Sequence, residues 1–119
     1  MREWSNLGLG LFIHWGVYAA WDGKYVGLNE LGEEVNLNVT YNAEWLMHRA
    51  KIPAAIYKTK SSEFTGEFWN AEEIDRMAYQ AGMKYIVITS KHHEGFSLFS
   101  NPNYSSWDID DTPCRDTIL

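Results

Sequence analysis

The chain has 119 residues, with ten Lys and Arg against sixteen Asp and Glu, so its net charge is −6. This length corresponds to about one small domain, and no basic run is long enough to follow a phosphate backbone, which argues against nucleic acid as a partner. Cys114 is the only cysteine, which excludes an internal disulfide framework and a cysteine-based zinc site.

The amino terminus comes first in chain order, and it carries no signal-peptide pattern of basic, apolar and small residues. No stretch of the sequence approaches the ~18 apolar residues of a membrane span. We therefore expect no membrane contact and, by default, a cytoplasmic location. The oligomeric state cannot be predicted from these features.

The first predicted element is a strand over residues 9–14. Its sequence, LGLFIH, is apolar without clear alternation, which is typical of a strand buried on both faces of a parallel sheet. The stretch that follows, residues 16–69, is long for one connection and contains Gly23, Gly27 and Gly32. We interpret it as one elaborated loop, with a helix near residues 42–50 that carries the segment YNAEWLMHR.

A helix is predicted over residues 70–81. Asn70 followed by Glu73 resembles a capping box, and Gly82 marks the end of the helix. Apolar residues recur between them at spacings of three and four, namely Ile74, Met77, Ala78 and Ala81. A second apolar run, residues 85–89, begins after a connection of only two or three residues. A helix coupled so tightly to a strand is half of a βαβ unit, so the sequence predicts an α/β fold.

Three histidines lie where the two predicted strands end. His14 closes the first run, while His92 and His93 follow the second. Since successive side chains of a strand point to opposite faces, the adjacent histidines must lie in the turn beyond it. Ligands bind at the carboxyl ends of parallel strands, so His14 should meet His92 or His93 in a binding site there.

Two other interpretations of these histidines remain open. Each imidazole could be satisfied by backbone hydrogen bonds and have only a structural role. The three could also form an open metal site, because three histidines are a known zinc arrangement. The spacing does not favour a metal, since adjacent histidines usually diverge and neither an HxH nor an HExxH pattern is present.

Four segments of the chain resemble, in order and approximate spacing, the amino-terminal part of alpha-L-fucosidases of glycoside hydrolase family 29. These are LGLFIHWGVY, AEWLMHR, AGMKYIVITSKHHEGFSLFS and PCRD. The departures are Glu94, where the family more often has Asp, and Cys114 and Thr117, which are unusual beside the RD pair. The resemblance implies that residues 1–119 are the amino-terminal portion of a (β/α)8 TIM-like barrel, incomplete in this chain and without a second domain. The portion would comprise the first two strands and their loops.

The resemblance also implies which residues bind the sugar. His14, His92 and His93 would form hydrogen bonds with fucose hydroxyls, with Glu44 and Trp45 alongside. An imidazole donates at one nitrogen and accepts at the other, and an indole packs on the apolar face or the methyl group of the sugar. As alternatives, Trp45 is a core residue and Glu44 a solvated residue of a first helical turn.

The activity implied by the resemblance is the hydrolysis of terminal alpha-L-fucose from glycoconjugates or oligosaccharides, with retention of configuration. Such an enzyme needs a carboxylate nucleophile and an acid/base about 5 to 5.5 Å apart. In the family these follow later strands, so we expect both beyond Leu119, predict no catalytic residue, metal or cofactor in this chain, and expect the chain alone to be inactive. The acidic stretch WDIDD is interpreted as a solvated loop. A non-catalytic sugar-binding relative remains the alternative.

Overall fold

The computed structural model describes residues 5–115. Its first sheet pairs β1 (Leu11–Ile13) with β4 (Ile86–Ile88) in parallel, with Phe12 opposite Val87. This confirms that the two apolar runs are neighbouring parallel strands and that the fold is a mixed α/β arrangement. Parallel pairing brings both carboxyl ends to the same edge, which is where His14 and the His92–His93 turn begin.

The helix that connects these strands is α3 (Ala71–Gln80), which agrees with the predicted helix. The Asn70 side chain accepts a hydrogen bond from the backbone N–H of Glu73 at 2.9 Å, which caps the first turn. The helix is followed by Gly82, whose φ of 78° lies in the left-handed region. Its apolar face lies over β1, where Ile74 and Ala78 line the same crevice as Leu11 and Ile13.

The prediction that both strands are buried on both faces is wrong for the described residues. Phe12 is 62% exposed, and Ile86 and Ile88 are 42% and 39% exposed. Helix α3 lies over the face that carries Leu11 and Ile13. The register of the pair places Ile86 and Ile88 on that same face, which α3 therefore covers only in part, while Phe12 points to the opposite face. The apolar runs therefore predicted that these strands are suited to burial. They did not predict how much of each strand the described part of the chain covers.

The interpretation of residues 16–69 as a single loop is also wrong, because they contain an antiparallel hairpin. Its strands are β2 (Lys24–Leu28) and β3 (Glu34–Asn38), with Tyr25 opposite Leu37. In the turn, the Asn29 side-chain oxygen accepts hydrogen bonds from the backbone N–H groups of Leu31 and Glu33, each at 2.9 Å. The hairpin is followed by two short helices, α1 (Leu46–Ala50) and α2 (Ala54–Lys58).

The helix expected near residues 42–50 is confirmed in a divided form. A 3-10 turn, Ala43–Trp45, runs directly into α1. The turn follows Asn42, which adopts a left-handed conformation with φ of 56°, a conformation that Asn tolerates better than most residues. None of the helices in the described part of the chain is long and apolar enough to cross a membrane.

The hydrophobic core lies outside the parallel pair. It joins residues 17–64 to the segment after the histidine turn, and it is largely aromatic. Its most completely buried large side chains are Val17, Leu46, Ile52, Tyr57, Phe96 and Ile109. Trp107 extends this core and donates from its indole nitrogen to the Ser61 hydroxyl at 2.8 Å.

The interpretation of WDIDD as a solvated loop is wrong at Asp108, which is only 5% exposed. Its carboxylate accepts backbone hydrogen bonds from Asn101 at 2.8 Å and Asp110 at 3.0 Å. Asp108 thereby caps the 3-10 helix Ile109–Asp111. Its burial is tolerated because backbone N–H groups replace the water that an exposed carboxylate would bind.

Candidate functional site

The histidines meet at the carboxyl ends of the parallel strands. The ring centroids of His14 and His92 are 4.6 Å apart, and those of His92 and His93 are 4.3 Å apart. His93 lies in a turn after β4, so the two neighbours are not bound to opposite faces of a strand. The expected meeting of His14 with the histidine pair is confirmed.

Glu44 and Trp45 reach the same place from the 3-10 turn that precedes α1. The Trp45 and His93 ring centroids are 3.8 Å apart. A carboxylate oxygen of Glu44 and one ring nitrogen each of His14 and His92 all lie within 4.8 Å of one another. All five predicted site residues therefore lie in one cluster, which we call the histidine cluster: His14, Glu44, Trp45, His92 and His93. That this cluster binds a sugar stays a prediction.

The alternative roles of Glu44 and Trp45 receive little support from their surroundings. Leu46, the next residue, is fully buried and supplies the core contact of this segment. Trp45 is only half-buried, and its ring faces His93 rather than the core cluster. Glu44 is half-buried as well, so it is not a freely solvated residue of the first turn.

The structure assigns His92 a definite hydrogen-bonding role. The backbone N–H of His93 donates to its Nδ1 atom at 2.8 Å. Because Nδ1 is an acceptor, the neutral ring carries its proton on Nε2. Burial lowers the pKa of the His92 imidazole, and the neighbouring His93 and His14 lower this pKa further. His92 is thus kept neutral, with Nε2–H as a donor.

A second layer, which the sequence analysis did not predict, lies next to the cluster. The Tyr18 ring, in a residue that is 6% exposed, packs edge-on against His14 and His92, with centroid distances of 6.0 and 5.7 Å. The side chain of Glu94 is 1% exposed, and its Oε2 atom is 3.8 Å from Nδ1 of His92. Burial raises the pKa of the Glu94 carboxyl group to about 7. The only sequence signals for these residues were their positions in the FIHWGVY and KHHEGF segments.

The cluster also contains a set of possible metal donors, formed by His14, Glu44 and His92. This set differs from the three-histidine site considered from the sequence, because His93 turns towards Trp45 instead. Two imidazoles and a carboxylate are a known ligand set for transition metals. However, His92 uses the lone pair of Nδ1 for the backbone N–H of His93 and carries its proton on Nε2, so neither nitrogen has a free lone pair. The arrangement suits a hydroxyl group better than a metal ion.

Two clefts flank the histidine cluster. One has a volume of about 660 Å³ and is lined by Glu44, His93 and Glu94 together with side chains of α1. The other has a volume of about 510 Å³ and lies between His14 and residues 63–69. Both volumes are within the range of small-molecule sites in proteins, which is roughly 300 to 1,000 Å³.

The aromatic residues beside the histidines support the loops. Trp15 stacks on Trp69 with a centroid distance of 4.7 Å and also packs against Phe64 at 4.8 Å. Phe96 is 2% exposed and packs edge-on against Trp107 at 5.2 Å. These contacts attach the two loops that carry the histidines to the core.

Comparisons with known proteins agree on one family. The protein-family model described as Alpha-L-fucosidase matches residues 1–119. The chain is 34% identical to the tissue alpha-L-fucosidase of Rattus norvegicus, over 98% of this chain and 25% of the relative. The chain thus spans about a quarter of the length of the curated relatives it matches.

Solved structures give the same result. An alpha-L-fucosidase of glycoside hydrolase family 29 from Bacteroides thetaiotaomicron superposes with a TM-score of 0.81 at 33% identity, covering 97% of this chain and 24% of that one. A second structure from that bacterium, a trapped covalent intermediate in complex with 2-fluoro-fucosyl fluoride, superposes with a TM-score of 0.80 at 32% identity. It covers 96% of this chain and 24% of that one.

Proposed function

The chain belongs to the alpha-L-fucosidase family, and we propose that it forms the amino-terminal part of a retaining exo-glycosidase that hydrolyses terminal alpha-L-fucose from glycoconjugates or oligosaccharides. The observation that carries this proposal is the histidine cluster at the carboxyl ends of β1 and β4. In this proposal the chain supplies part of the sugar-binding pocket, while the nucleophile and the acid/base lie outside residues 1–119.

The chemistry of the cluster fits a sugar with neighbouring hydroxyl groups. The Nε2–H of His92 donates to a hydroxyl oxygen, since its Nδ1 is already an acceptor for the backbone. Glu44 accepts from a hydroxyl O–H within reach of the same donors. Trp45 offers an indole face, and the apolar face or methyl group of a fucose ring packs on such a surface.

The proposed fold of the whole catalytic domain is a (β/α)8 barrel. The parallel pair of β1 and β4 with α3 in their connection corresponds to one repeat of such a barrel. The histidine cluster lies at the carboxyl ends of these strands, the face at which barrel enzymes bind their substrates. The exposed apolar side chains of Phe12, Ile86 and Ile88 would be covered by the other parts of the barrel.

The retaining mechanism is supported by the trapped covalent intermediate of the Bacteroides thetaiotaomicron enzyme. A retaining glycosidase forms such an intermediate on a carboxylate nucleophile. In the acidic stretch of this chain, Asp108 is buried and already bound by two backbone N–H groups, so it is not available as a nucleophile. The proposed partner is a fucosylated glycan or oligosaccharide, and the mechanism requires no cofactor.

The test is turnover of an aryl alpha-L-fucoside by the full-length protein, with the product anomer identified by NMR immediately after cleavage. We expect hydrolysis with alpha-fucose as the first product, and no turnover of the matched aryl alpha-L-rhamnoside. The 119-residue chain, assayed beside it, is expected to give no turnover. Fucose binding without turnover by the full-length protein would instead support the non-catalytic sugar-binding alternative. If the full-length protein shows no fucose binding and no turnover, both the enzyme and the sugar-binding alternative are contradicted.

A further inference from the structure

We propose that Glu94 is a positioning residue, which keeps His92 in the tautomer and orientation that donate to a sugar hydroxyl group. The inference concerns the internal support of the histidine cluster, and it rests on the proposed function only for the identity of the ligand. Glu94 itself is enclosed and does not need to touch the sugar. It acts through its neighbour.

The first observation is the enclosure of the Glu94 side chain, which is 1% exposed. Neither of its carboxyl oxygens has a hydrogen-bond partner on another described residue. An ionised carboxylate in such a place costs several kcal/mol, which favours the protonated form. The Nδ1 atom of His92 lies 3.8 Å from Oε2 of Glu94.

The second observation is that Glu94 belongs to a buried polar layer. The hydroxyl groups of Tyr18 and Tyr57 are also buried and have no partner among the described residues. The charge of Glu94 raises the pKa of both tyrosines, after the larger effect of their burial. Gly16 allows this close packing, because a Cβ atom there would lie 2.9 Å from the Tyr18 ring and 3.4 Å from Oε1 of Glu94.

The charge on Glu94 decides what His92 can do. A negative carboxylate 3.8 Å from Nδ1 attracts a proton to that nitrogen, in competition with the backbone N–H of His93 that already donates to it. A protonated Glu94 leaves the Nδ1 lone pair to His93 and the ring proton on Nε2. The neutral carboxyl group is therefore the form that preserves the donor.

The environment favours this neutral pair up to about neutral pH. Burial is the main cause that raises the pKa of Glu94 to about 7; a hydrogen bond from the residue's own backbone N–H opposes this rise, and the charge of Glu44 adds to it. Burial, His93 and His14 lower the pKa of His92, against a smaller opposing effect of Glu44. Tyr18 and Tyr57 also face the pair, and the charged or titratable residues Glu30, His48, Arg49 and Lys51 line the same cleft as Glu94. As the pH rises above about 7, Glu94 ionises and the donor on His92 is weakened.

The experiment compares full-length wild type with Glu94→Gln, Glu94→Ala and the matched control Glu34→Gln, an exposed glutamate on β3. L-Fucose affinity is measured by calorimetry between pH 5.5 and 8.5. The tautomer of His92 is read from its ¹⁵N chemical shifts, with His92→Asn used to assign the signals. For a group that titrates near 7, wild type should lose affinity about tenfold between pH 6 and pH 8.

Glu94→Gln should bind fucose as wild type does at pH 6 and keep that affinity at pH 8, because the amide cannot ionise. Glu94→Ala should also lose the pH dependence, because it removes the ionisable group, while Glu34→Gln follows wild type. The proposal is overturned if Glu94→Gln retains the pH dependence of wild type. It is also overturned if the ¹⁵N signals of His92 in wild type do not change between pH 6 and pH 8.

The ¹⁵N measurement separates this inference from the proposed function, because it needs neither sugar nor turnover. If the wild-type protein neither binds nor hydrolyses fucosides, the proposed function fails. The response of the His92 signals to pH still decides the positioning role in that case.

Discussion

The aromatic core and the parallel strand pair are opposites in how completely they bury their apolar side chains. In the core, Tyr57 and Phe96 are 0% and 2% exposed. In the strand pair, Phe12 and Ile86 are 62% and 42% exposed. The parallel pair is thus the less covered part of the described chain, and the densest packing lies outside it, among the short helices, the hairpin and the loops.

This difference shows which region holds the histidine cluster in place. The strand ends bring His14 and His92 to one edge, but the chain enters the core within a few residues of each. Val17 is fully buried three residues after His14, and Phe96 is buried four residues after His92. The sheet therefore determines where the histidines meet, and the core limits how far their loops can move. The substitutions below test this division, from the largest expected effect to the smallest.

Phe96→Ala should have the largest effect on stability. The ring packs against Phe64 and Trp107 with centroid distances of 5.7 and 5.2 Å. Its truncation leaves a cavity in the core, so we expect the free energy of unfolding of the full-length protein to fall by about 3 to 5 kcal/mol. Chemical denaturation measures this loss. A loss below about 1 kcal/mol would show that the core is not the anchor of the histidine turn.

His14→Ala and His92→Ala should show the opposite pattern, with loss of activity and little loss of stability. Removing a hydrogen bond to a substrate hydroxyl costs about 0.5 to 3 kcal/mol, and more where the bond tightens in the transition state. This corresponds to a fall in kcat/KM for an aryl fucoside of up to about 150-fold. Thermal unfolding of each variant is recorded beside wild type. Near-normal kcat/KM with a large drop in melting temperature would assign these histidines a structural role.

Asp108→Ala should have an intermediate effect, because it removes a helix cap in the core region. The lost backbone contacts to Asn101 and Asp110 are worth about 1 to 2 kcal/mol together. The matched control is Asp75→Ala, an exposed aspartate on α3, which should change the free energy of unfolding by less than about 0.5 kcal/mol. Equal effects of the two substitutions would mean that burial of Asp108 contributes nothing to stability.

Phe12→Ala should have the smallest effect in the 119-residue chain, about 1 kcal/mol or less in the free energy of unfolding, because most of the ring is exposed there. The full-length protein provides the sharper comparison. If the proposed barrel covers this face, the same substitution should cost about 3 to 5 kcal/mol there. A small effect in both proteins would contradict the barrel, because it would leave β1 uncovered on this face.

Sequence patterns predicted an element correctly where its structure depends on residues close by in the sequence. The spacing of apolar residues and the cap at Asn70 predicted α3 almost to the residue. The hairpin was missed because the glycines at positions 23, 27 and 32 were taken as signs of a loop and because β2, with the sequence KYVGL, does not alternate, although β3, with EVNLN, does. Tyr25 is 5% exposed and Val26 is 75% exposed, but this alternation depends on β3 and on the core beneath it, which lie elsewhere in the chain.

The sequence by itself determined the two parallel strands, the helix between them and the turn that carries His92 and His93. These follow from period and spacing, which act over a few residues. Only the tertiary structure decided that Glu44 lies within 4.8 Å of two imidazoles and that Glu94 is enclosed beside His92. Burial and pKa depend on which distant groups exclude water from a side chain, and such groups are brought together only when the whole chain has folded.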